Sequence, residues 1–538
     1  MKKLIQAVII VITLFSNVFA QTAPFQVLIE PLNISGLGGL QAYAFGQHNG
    51  KWLIIGGRLD GLHRRQPFAA FDIAGHNNQL IVVDPIAQQK WTAPLSSLPT
   101  SMQEQLSSTN MEFHQQGDYL YLAGGYGYSA TSADHITYPY LSAVKVSGVI
   151  NAIIASTAIT SYFRQITDTM FAVTGGSLKK INNTFYLTGG NKFMGRYNPM
   201  GPTSGPGYVQ IYTNAVRKFK ISDDGVTLTV SHLPSHIDAT NLHRRDYNVL
   251  PQILPTGAEA LTAFSGVFQT SVDLPFLNSV TIDSTSFYVN PTFSQYYNHY
   301  HCAHIPIYSS SSNEMHSLFF GGIAQYYDSI GVLVQDNNVP FVKTIARVTR
   351  NSSGVMSEYK LPIEMPSLLG AGSEFIPIKT LPHYNNEVFK FDDFTDDTTL
   401  VGYIYGGISS TGANVFFINT GAESVASSQI FKVYIIKNAV VGLHELNKQS
   451  VGTFQMQVYP NPNSGDFKVK FNLKEAITTT ISILDSKGNL IEKTVLNSTH
   501  VGENTFSKFI DKIASVGTYF VTIETKYEKS TQKIVVEN

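Results

Sequence analysis

The stretch WLIIGG at residues 52–57 decides the fold, because a short apolar run ending in two glycines occurs five times in this chain. The other copies are YLYLAGG at 119–125, FYLTGG at 185–190, LFFGG at 318–322 and YIYGG at 403–407, with a degraded copy, LTAFSG, at 261–266. Recurrence at this scale predicts one supersecondary element repeated with loop insertions. Paired glycines are expected where a buried strand ends against a close neighbour or needs a positive φ.

The residues around the first copy indicate a four-stranded antiparallel unit. An alternating strand at 41–47 meets an HNG turn at 48–50, and the strand at 51–57 is followed by a long loop and the apolar run at 79–84. The residues Gly56, Gly57, Asp84, Pro85 and Trp91 stand in an order that resembles a kelch repeat. Later copies keep the glycines and lose the tryptophan, so the resemblance is divergent. It covers roughly residues 25–437 and implies an all-β fold, a six-bladed kelch-like β-propeller.

A toroid of blades must join its last blade to its first. The run FQVLIEPL at 25–32 is expected to supply the outer strand of the last blade, because closure removes the sheet edges that invite aggregation. A seven-bladed ring is the alternative, since Gly175 and Gly176 stand only a short distance before the next glycine pair.

Both the N-terminus and the charge balance indicate an exported protein without a nucleic-acid partner. Residues 1–20 join two lysines, an apolar run and the small-residue motif VFA, which predicts a signal peptide. No other stretch is expected to cross a bilayer in the mature chain. The formal net charge of −1 gives no global field for nucleic acid.

The composition changes after residue 452, where the glycine pairs stop and about seven short strands predict a small Ig-like β-sandwich at 453–538. Its motif residues closely resemble those of the C-terminal sorting domain of the type IX secretion system in Bacteroidetes-like bacteria: Pro460, Asn461, Pro462, Gly465, Gly517, Tyr519 and Lys533. The resemblance implies the type IX secretion machinery as partner and a secreted or outer cell-surface location. Residues 438–452 are then a linker, and an ordinary Ig-like adhesion module is the alternative.

A ligand is expected on the face where the long loops between second and third strands meet the connections between blades. Two copies of the tetrapeptide LHRR, at 62–65 and 242–245, bring charge to that face. The candidate ligand-binding arginines are Arg58, Arg64, Arg65, Arg244 and Arg245. Their guanidinium groups offer forks for a carboxylate or an acidic sugar. The alternative is that they pair with local acids such as Asp60 and Asp246 and pin the loops.

The run YYNHYHCAH at 296–304 adds Tyr300 and His301 as candidate ligand-binding residues at the channel mouth. His299, His301 and His304 offer a zinc or copper site only if the strand kinks, because alternation places the third on the opposite side. No cofactor is expected, and structural histidines are the other alternative. The single cysteine, Cys302, is interpreted as a buried inert thiol rather than a nucleophile.

Glu112, Asp168 and His301 are candidate catalytic residues, with Glu374 in the matching slot of the last blade. No linear motif of a P-loop, a dinucleotide-binding fingerprint or a nucleophile elbow supports them. The sequence therefore favours a secreted or cell-surface binding protein that recognises a glycan or protein through the loop-rich face, over an enzyme. Tyrosines supplied by those loops suit stacking on sugars: Tyr126, Tyr128, Tyr197, Tyr326 and Tyr327. The alternatives are an enzyme acting on acidic sugars, similar in architecture to the six-bladed kelch sialic-acid epimerase, or a structural adhesion component.

Overall fold

A computed structural model describes residues 23–203, 205, 207–329, 331–437, 456–473, 475–485, 490–509, 516–525 and 529–537. Contacts divide the chain into two compact units, Met1–Asn438 and Ala439–Asn538. The signal peptide predicted at 1–20 and the linker predicted at 438–452 lie outside the described residues.

The described part of the larger unit contains six antiparallel sheets, each built on four strands in meander order. In chain order, sheet 1 has Ala44–His48, Lys51–Ile55, Gln79–Asp84 and Gln89–Pro94; sheet 2 has Thr109–Gln116, Tyr119–Ser129, Tyr140–Lys145 and Phe163–Thr167; sheet 3 has Ser177–Ile181, Thr184–Thr188, Ala215–Asp223 and Leu228–Ile237. Sheet 4 has Asn248–Ile253, Glu259–Phe264, Ser279–Ile282 and Phe287–Asn290; sheet 5 has His304–Ser309, Glu314–Ile323, Phe341–Arg350 and Met356–Glu364; sheet 6 has Leu368–Pro377, Thr398–Ser410, Ile430–Lys437 and Phe25–Leu32.

The outermost strand of sheet 6 comes from the other end of the chain. Phe25–Leu32 pairs antiparallel with Ile430–Lys437 over its whole length, from Phe25 opposite Lys437 to Leu32 opposite Ile430. This pairing covers the edge that Ile430–Lys437 would otherwise leave open, and it joins the first described residues to the last sheet.

Apolar cores lie between neighbouring sheets and close on themselves. Successive clusters join sheets 1 and 2, 2 and 3, 3 and 4, 4 and 5, and 5 and 6, and a further cluster joins sheet 6 to sheet 1. In that last cluster, Trp52 packs on Tyr403 with ring centroids 5.1 Å apart. Tyr43 donates a hydrogen bond of 3.0 Å to the carbonyl of Tyr405. Such aromatic burial stabilises the contact, and the closed sequence of cores makes the architecture propeller-like.

The paired glycines are explained by the close approach of the next sheet. A Cβ on Gly124 would lie 1.9 Å from the carbonyl oxygen of Val173, and one on Gly406 would lie 2.2 Å from that of Leu40. Both glycines have positive φ, 66° and 74°. The following glycine, Gly125, donates its N–H to the same Val173 carbonyl at 2.9 Å. The pairs at 56–57 and 189–190 directly follow their strands, whereas the expectation that the pairs end strands is wrong for the other three, which lie inside longer strands. All five stand where a neighbouring sheet approaches closely.

The structure also contains helices and additional strands that the sequence analysis does not predict. The helices are Thr100–Leu106 and Val146–Ile154, with 3-10 turns at Pro67–Ala69, Ile73–Gly75, Leu95–Ser97, Thr160–Tyr162, Thr169–Phe171 and Phe391–Asp393. The second helix buries Val149, Ile150 and Ile153 in the core between sheets 1 and 2. Extra strands are Asp134–Thr137, Asn191–Met194 and Val209–Tyr212, which extend sheet 2, the hairpin Tyr326–Ser329 with Val332–Gln335, and the short strands Phe389–Lys390 and Ser424–Ala426.

The smaller unit forms two antiparallel sheets around one apolar core. One sheet has Gln457–Tyr459, Asp466–Leu473 and Gly502–Phe509, and the other has Thr479–Asp485, Leu490–Leu496, Gly517–Glu524 and Lys529–Val536. Alternating residues of Asp466–Leu473 are buried, among them Phe467, Val469 and Phe471, and they pack with Ile481 and Val521 of the other sheet.

Candidate functional site

Loops at one end of the six sheets line a cavity of about 770 Å³. Each sheet contributes at least one residue that follows its glycine pair or the matching Ser265–Gly266 slot: Arg58, Tyr126, Phe193, Phe268, Ile323 and Ile408. The connections between sheets contribute as well, and the volume lies within the roughly 300–1,000 Å³ usual for small-molecule sites. The loops and connections therefore meet on one face, where the sequence analysis expects a ligand.

A ring of hydrogen bonds between the sheets lies at the inner end of this cavity. The carbonyl ring, as we name it, consists of one residue per sheet: Ala42, Asn110, Gly175, Asp246, His301 and Gly372. Backbone N–H groups donate from Asn110 to Ala42, Asp246 to Gly175, His301 to Asp246, Gly372 to His301 and Ala42 to Gly372, at 2.7–3.1 Å. The remaining step is bridged by the Thr174 hydroxyl, which donates to the Asn110 carbonyl at 3.2 Å.

The carbonyl ring separates the wide cavity from a narrow channel of about 50 Å³. Ala42, Asn110 and His301 line both spaces, whereas Asp246 and Gly372 line only the wide one. Because most ring N–H and C=O groups are satisfied by one another, the polar groups left to meet a ligand at this level are side chains.

One side of the cavity is an aromatic wall formed by Phe71, Tyr126, Phe193, Tyr197 and Tyr208. Phe193 stacks on Tyr208 with centroids 4.6 Å apart, and Phe71 meets Tyr126 edge-on at 5.2 Å. The flat faces of such rings suit stacking against the apolar face of a sugar. Of the tyrosines suggested by the sequence, Tyr126 and Tyr197 belong to this wall. The other three, Tyr128, Tyr326 and Tyr327, do not line the cavity.

Two of the candidate arginines line the cavity but are paired with neighbouring carboxylates. Arg58 donates through Nε and Nη2 to Asp60 at 2.6 and 2.5 Å. Arg245 donates to Asp246 Oδ2 at 2.7 Å and to the Tyr212 hydroxyl at 3.0 Å. Burial disfavours the charge of Arg245, but Asp246 and Tyr212 more than compensate and hold its pKa above the usual value. This is the local pairing that the sequence analysis gave as the alternative to a free clamp.

The other three arginines have different surroundings. Arg244 is 1% exposed and donates to the carbonyls of Asn241, Ser265 and Asn278, so it holds the loops of sheet 4 and does not line the cavity. Arg65 lines the cavity and donates to the Phe417 carbonyl. Arg64 is exposed and does not line the cavity. The two LHRR copies thus supply one cavity-lining arginine each.

Three ionisable groups meet where the channel begins. His301 Nε2 lies 3.0 Å from Glu374 Oε1, and although burial lowers the pKa of His301, Glu374 raises it above the usual value. Burial raises the pKa of Glu112 to about 8, against the lowering effect of a 2.7 Å hydrogen bond from the Gly176 N–H. Near neutral pH, Glu112 is a carboxylic acid close to the hydrogen-bonded His301–Glu374 pair, an arrangement suited to proton transfer.

Asp168 does not join these groups. It caps the turn Thr169–Phe171 and pairs with His232 at 2.8 Å, and it lines neither the cavity nor the channel. Asp168 therefore does not share a site with Glu112 and Glu374, contrary to the expectation. Its place in the connection between sheets 2 and 3 keeps its carboxylate away from both the cavity and the channel.

The three histidines of the 296–304 run also have separate partners. His299 is fully buried and bonds the Gln295 carbonyl and the Gln325 N–H, His301 pairs with Glu374, and His304 Nδ1 lies 2.9 Å from the Cys302 carbonyl. Among the described residues, no group of three or more histidine, cysteine or acidic side chains is placed to hold a metal ion. Tyr300 and His301 do line the cavity, and burial raises the pKa of the Cys302 thiol to about 12.

Sequence reasoning missed part of the cavity lining. Phe71, Phe193 and Tyr208 form most of the aromatic wall, and Phe268 and Phe417 lie across the cavity from other loops. All five follow a glycine pair or its degraded copy before the next strand of a sheet. Aromatic residues at such positions were the signal that would have found them.

The candidate sorting residues hold the end of the chain. The Asn461 side chain donates to the Lys533 carbonyl at 2.9 Å and accepts from the Val535 N–H at 2.8 Å. Gly465 has a φ of 106° and donates its N–H to the Asn463 side chain at 2.8 Å. The PNPNSG segment thereby fastens the last strand, Lys529–Val536, to the turn before Asp466–Leu473.

Comparison with protein families gives one match, over residues 457–537. These residues are a secretion system C-terminal sorting domain. The chain is thus cargo of the type IX secretion system, secreted or displayed at the cell surface. Among the described residues, no helix is long and apolar enough to cross a membrane. No curated protein matches the sequence of this chain.

Solved structures with a similar course of the chain share little sequence with it. YjhT is 11% identical with a TM-score of 0.39, covering 75% of this chain and 99% of its own. The WD40 domain of SCAP from fission yeast is 8% identical with a TM-score of 0.27, covering 95% and 90%. The Bombyx mori GH32 β-fructofuranosidase BmSUC1, in complex with sucrose, is 10% identical with a TM-score of 0.27, covering 95% and 89%.

Proposed function

We propose that residues 21–437 form a six-bladed, kelch-like β-propeller whose loop cavity binds a glycan outside the cell. Six four-stranded sheets, the core that joins sheet 6 to sheet 1 and the carbonyl ring support the number of blades. In this proposal residues 1–20 are a signal peptide, 438–452 a linker, and 453–538 the Ig-like sandwich that carries the sorting signal.

The observation that carries the proposal is an aromatic wall facing polar side chains within one cavity. Tyr197 and Tyr208 are partly exposed and offer aromatic surface, and Arg245, Asp246 and His301 offer donors and acceptors. Sugars present both an apolar ring face and a set of hydroxyls, so one site must satisfy both. A cavity of about 770 Å³ suits such a ligand better than the broad surface of a folded protein.

A glycan array on the full chain, followed by calorimetry on the hits, tests the proposal. Phe417 lines the cavity and is 62% exposed, so Phe417→Ala should keep the fold and weaken binding about five- to ten-fold. Phe68 is the matched control, because it is 70% exposed in a loop of the same face but does not line the cavity. Absence of any glycan hit would refute the proposal and leave a structural adhesion component.

A second function, proton transfer on a bound acidic sugar, is favoured by the group of Glu112, His301 and Glu374. Glu112 and the His301–Glu374 pair line the channel, and His301 also lines the cavity, so these groups supply a candidate acid and base without a cofactor. Incubating the protein with sugar acids in deuterium oxide would reveal this activity as exchange of carbon-bound hydrogen in proton spectra. Binding by wild type without exchange, at every pH tested from about 6 to about 8, argues for a binding protein alone.

A further inference from the structure

Two of the three arginines that line the cavity, and His301, are each paired with a carboxylate that the protein itself supplies. Arg58 is held by both oxygens of Asp60, and Arg245 by Asp246. His301 pairs with Glu374 at 3.0 Å. His63 also lines the cavity, and burial lowers its pKa to about 4, so it is uncharged near neutral pH.

The one cavity-lining arginine without a paired carboxylate, Arg65, is exposed to solvent and donates to the Phe417 carbonyl. Asp273, an exposed carboxylate, also lines the cavity. Exposed charges of this kind contribute little to selecting a charged ligand, because water and salt screen them.

A carboxylate ligand would meet a penalty in such a cavity. To bind Arg245 it must displace Asp246, which leaves a half-buried aspartate without its counter-ion, or else lie beside that aspartate and be repelled. An uncharged hydroxyl meets neither cost, because it donates to a carboxylate and accepts from a guanidinium at once.

The Arg245–Asp246 pair keeps groups available for such hydroxyls. About a fifth of each side chain is exposed, 21% for Arg245 and 23% for Asp246. Within the described residues, Nη2 of Arg245 makes no hydrogen bond, and Asp246 accepts only from Arg245 Nη1 while its Oδ1 lies against Gly175. The pair therefore keeps a donor and further acceptor capacity for a hydroxyl. The aromatic wall completes the lining with uncharged surface.

We infer that the ligand is an uncharged saccharide, with its ring against the aromatic wall and its hydroxyls on the Arg245–Asp246 pair. The inference rests on the proposed glycan-binding function and deepens it by excluding acidic sugars as the preferred class. It also separates the binding function from the enzyme alternative, which requires an acidic substrate.

Calorimetry with matched ligands tests the inference on the full chain. Each neutral glycan found on the array is compared with the uronate that has the same stereochemistry and linkage. Wild type should bind the neutral member at least about ten-fold more tightly. Raising sodium chloride from about 50 to about 500 mM should change the neutral affinity by less than about two-fold, because no net charge is neutralised on binding.

The variant Asp246→Asn should gain affinity for acidic sugars. The variant frees the Arg245 charge, so the preference should move towards the uronate by about ten-fold or more. Asparagine tolerates the φ of 51° at this position, which favours a folded variant. Asp168→Asn is the control, since that carboxylate pairs with His232 outside the cavity and its loss should leave the preference unchanged.

The outcomes distinguish the two proposals. Tighter binding of uronates by wild type, or a strong loss of affinity with salt, overturns the inference and leaves glycan binding intact. Binding of neither series by wild type overturns both. The wild-type comparison stands by itself if Asp246→Asn does not fold.

Discussion

The burial of Glu112 lowers the stability of the protein near neutral pH by an amount that its pKa determines. The side chain is 5% exposed, and burial raises its pKa from 4.5 to about 8. The folded protein therefore holds the proton at pH values where the unfolded chain has released it. Stability is unaffected below pH 4.5, falls as the pH rises from 4.5 to about 8, and changes no further above that range.

Replacement by glutamine removes this cost. At about pH 7 the pH lies 2.5 units above 4.5, and each unit corresponds to about 1.4 kcal/mol, so Glu112→Gln should raise the free energy of unfolding by about 3 kcal/mol. The amide oxygen can still accept the hydrogen bond from the Gly176 N–H. Near pH 4.5 the variant and wild type should be almost equally stable.

Urea denaturation followed by tryptophan fluorescence measures the difference. Both tryptophans, Trp52 and Trp91, lie in sheet 1, and Trp52 is 1% exposed, so their emission reports on the larger unit. The curves are recorded for wild type and variant at several pH values between 4.5 and 8. A variant that is no more stable than wild type at about pH 7, or a difference that does not grow with pH, would refute the reasoning.

Glu358 is the matched control, because burial raises its pKa to about 8 as well. It accepts backbone hydrogen bonds on both oxygens, from the N–H groups of Tyr296 at 2.5 Å and Tyr297 at 3.2 Å. A glutamine keeps only one acceptor oxygen and so loses one of these two hydrogen bonds, which costs about 0.5–1.5 kcal/mol. Glu358→Gln should therefore gain clearly less stability than Glu112→Gln at the same pH.

Three further predictions concern the scaffold. Arg244→Lys should lower the free energy of unfolding by about 3 kcal/mol or more, measured by denaturation, because it leaves the carbonyls around this buried guanidinium without their donors. Gly175→Ala should cost about 1–3 kcal/mol, since φ is 67° and the new Cβ would lie 2.6 Å from the Asp246 carboxylate; a lower thermal midpoint is expected. The Cys302 thiol should react with a maleimide only after unfolding, because it is fully buried with a pKa of about 12; rapid labelling of the folded chain would contradict this.

The glycine pairs make most of the fold predictable from the sequence, and the reason is physical. Gly124 and Gly406 stand where a carbonyl of the next sheet leaves no room for a Cβ, so the residue type is dictated by a contact between sheets. The helices Thr100–Leu106 and Val146–Ile154 carry no comparable signal. The second lies after a strand and continues its apolar run, so its residues match either structure until the core between sheets 1 and 2 selects the helix.

The sequence predicts the location of the candidate site better than it predicts the partners of the side chains there. The loop-rich face follows from the positions of the glycine pairs, and Arg58, Arg65 and Arg245 line its cavity. The hydrogen-bond partners of an arginine depend on the positions of the side chains in three dimensions, which the sequence does not give. Arg244 and Arg245 are adjacent in sequence, yet one is buried among carbonyls and the other faces the cavity beside Asp246.

The carbonyl ring explains how the scaffold and the site can vary independently. Five of its six links join backbone groups and the sixth uses the Thr174 hydroxyl, so the links involve no side chain of Ala42, Asn110 or His301. The loops leave after each glycine pair, whose second member has already donated to the next sheet, as Gly125 does to Val173. A loop can therefore change in length or composition without breaking the contacts that close the structure. Ligand choice then resides in the cavity side chains, and above all in whether Asp246 leaves the charge of Arg245 neutralised.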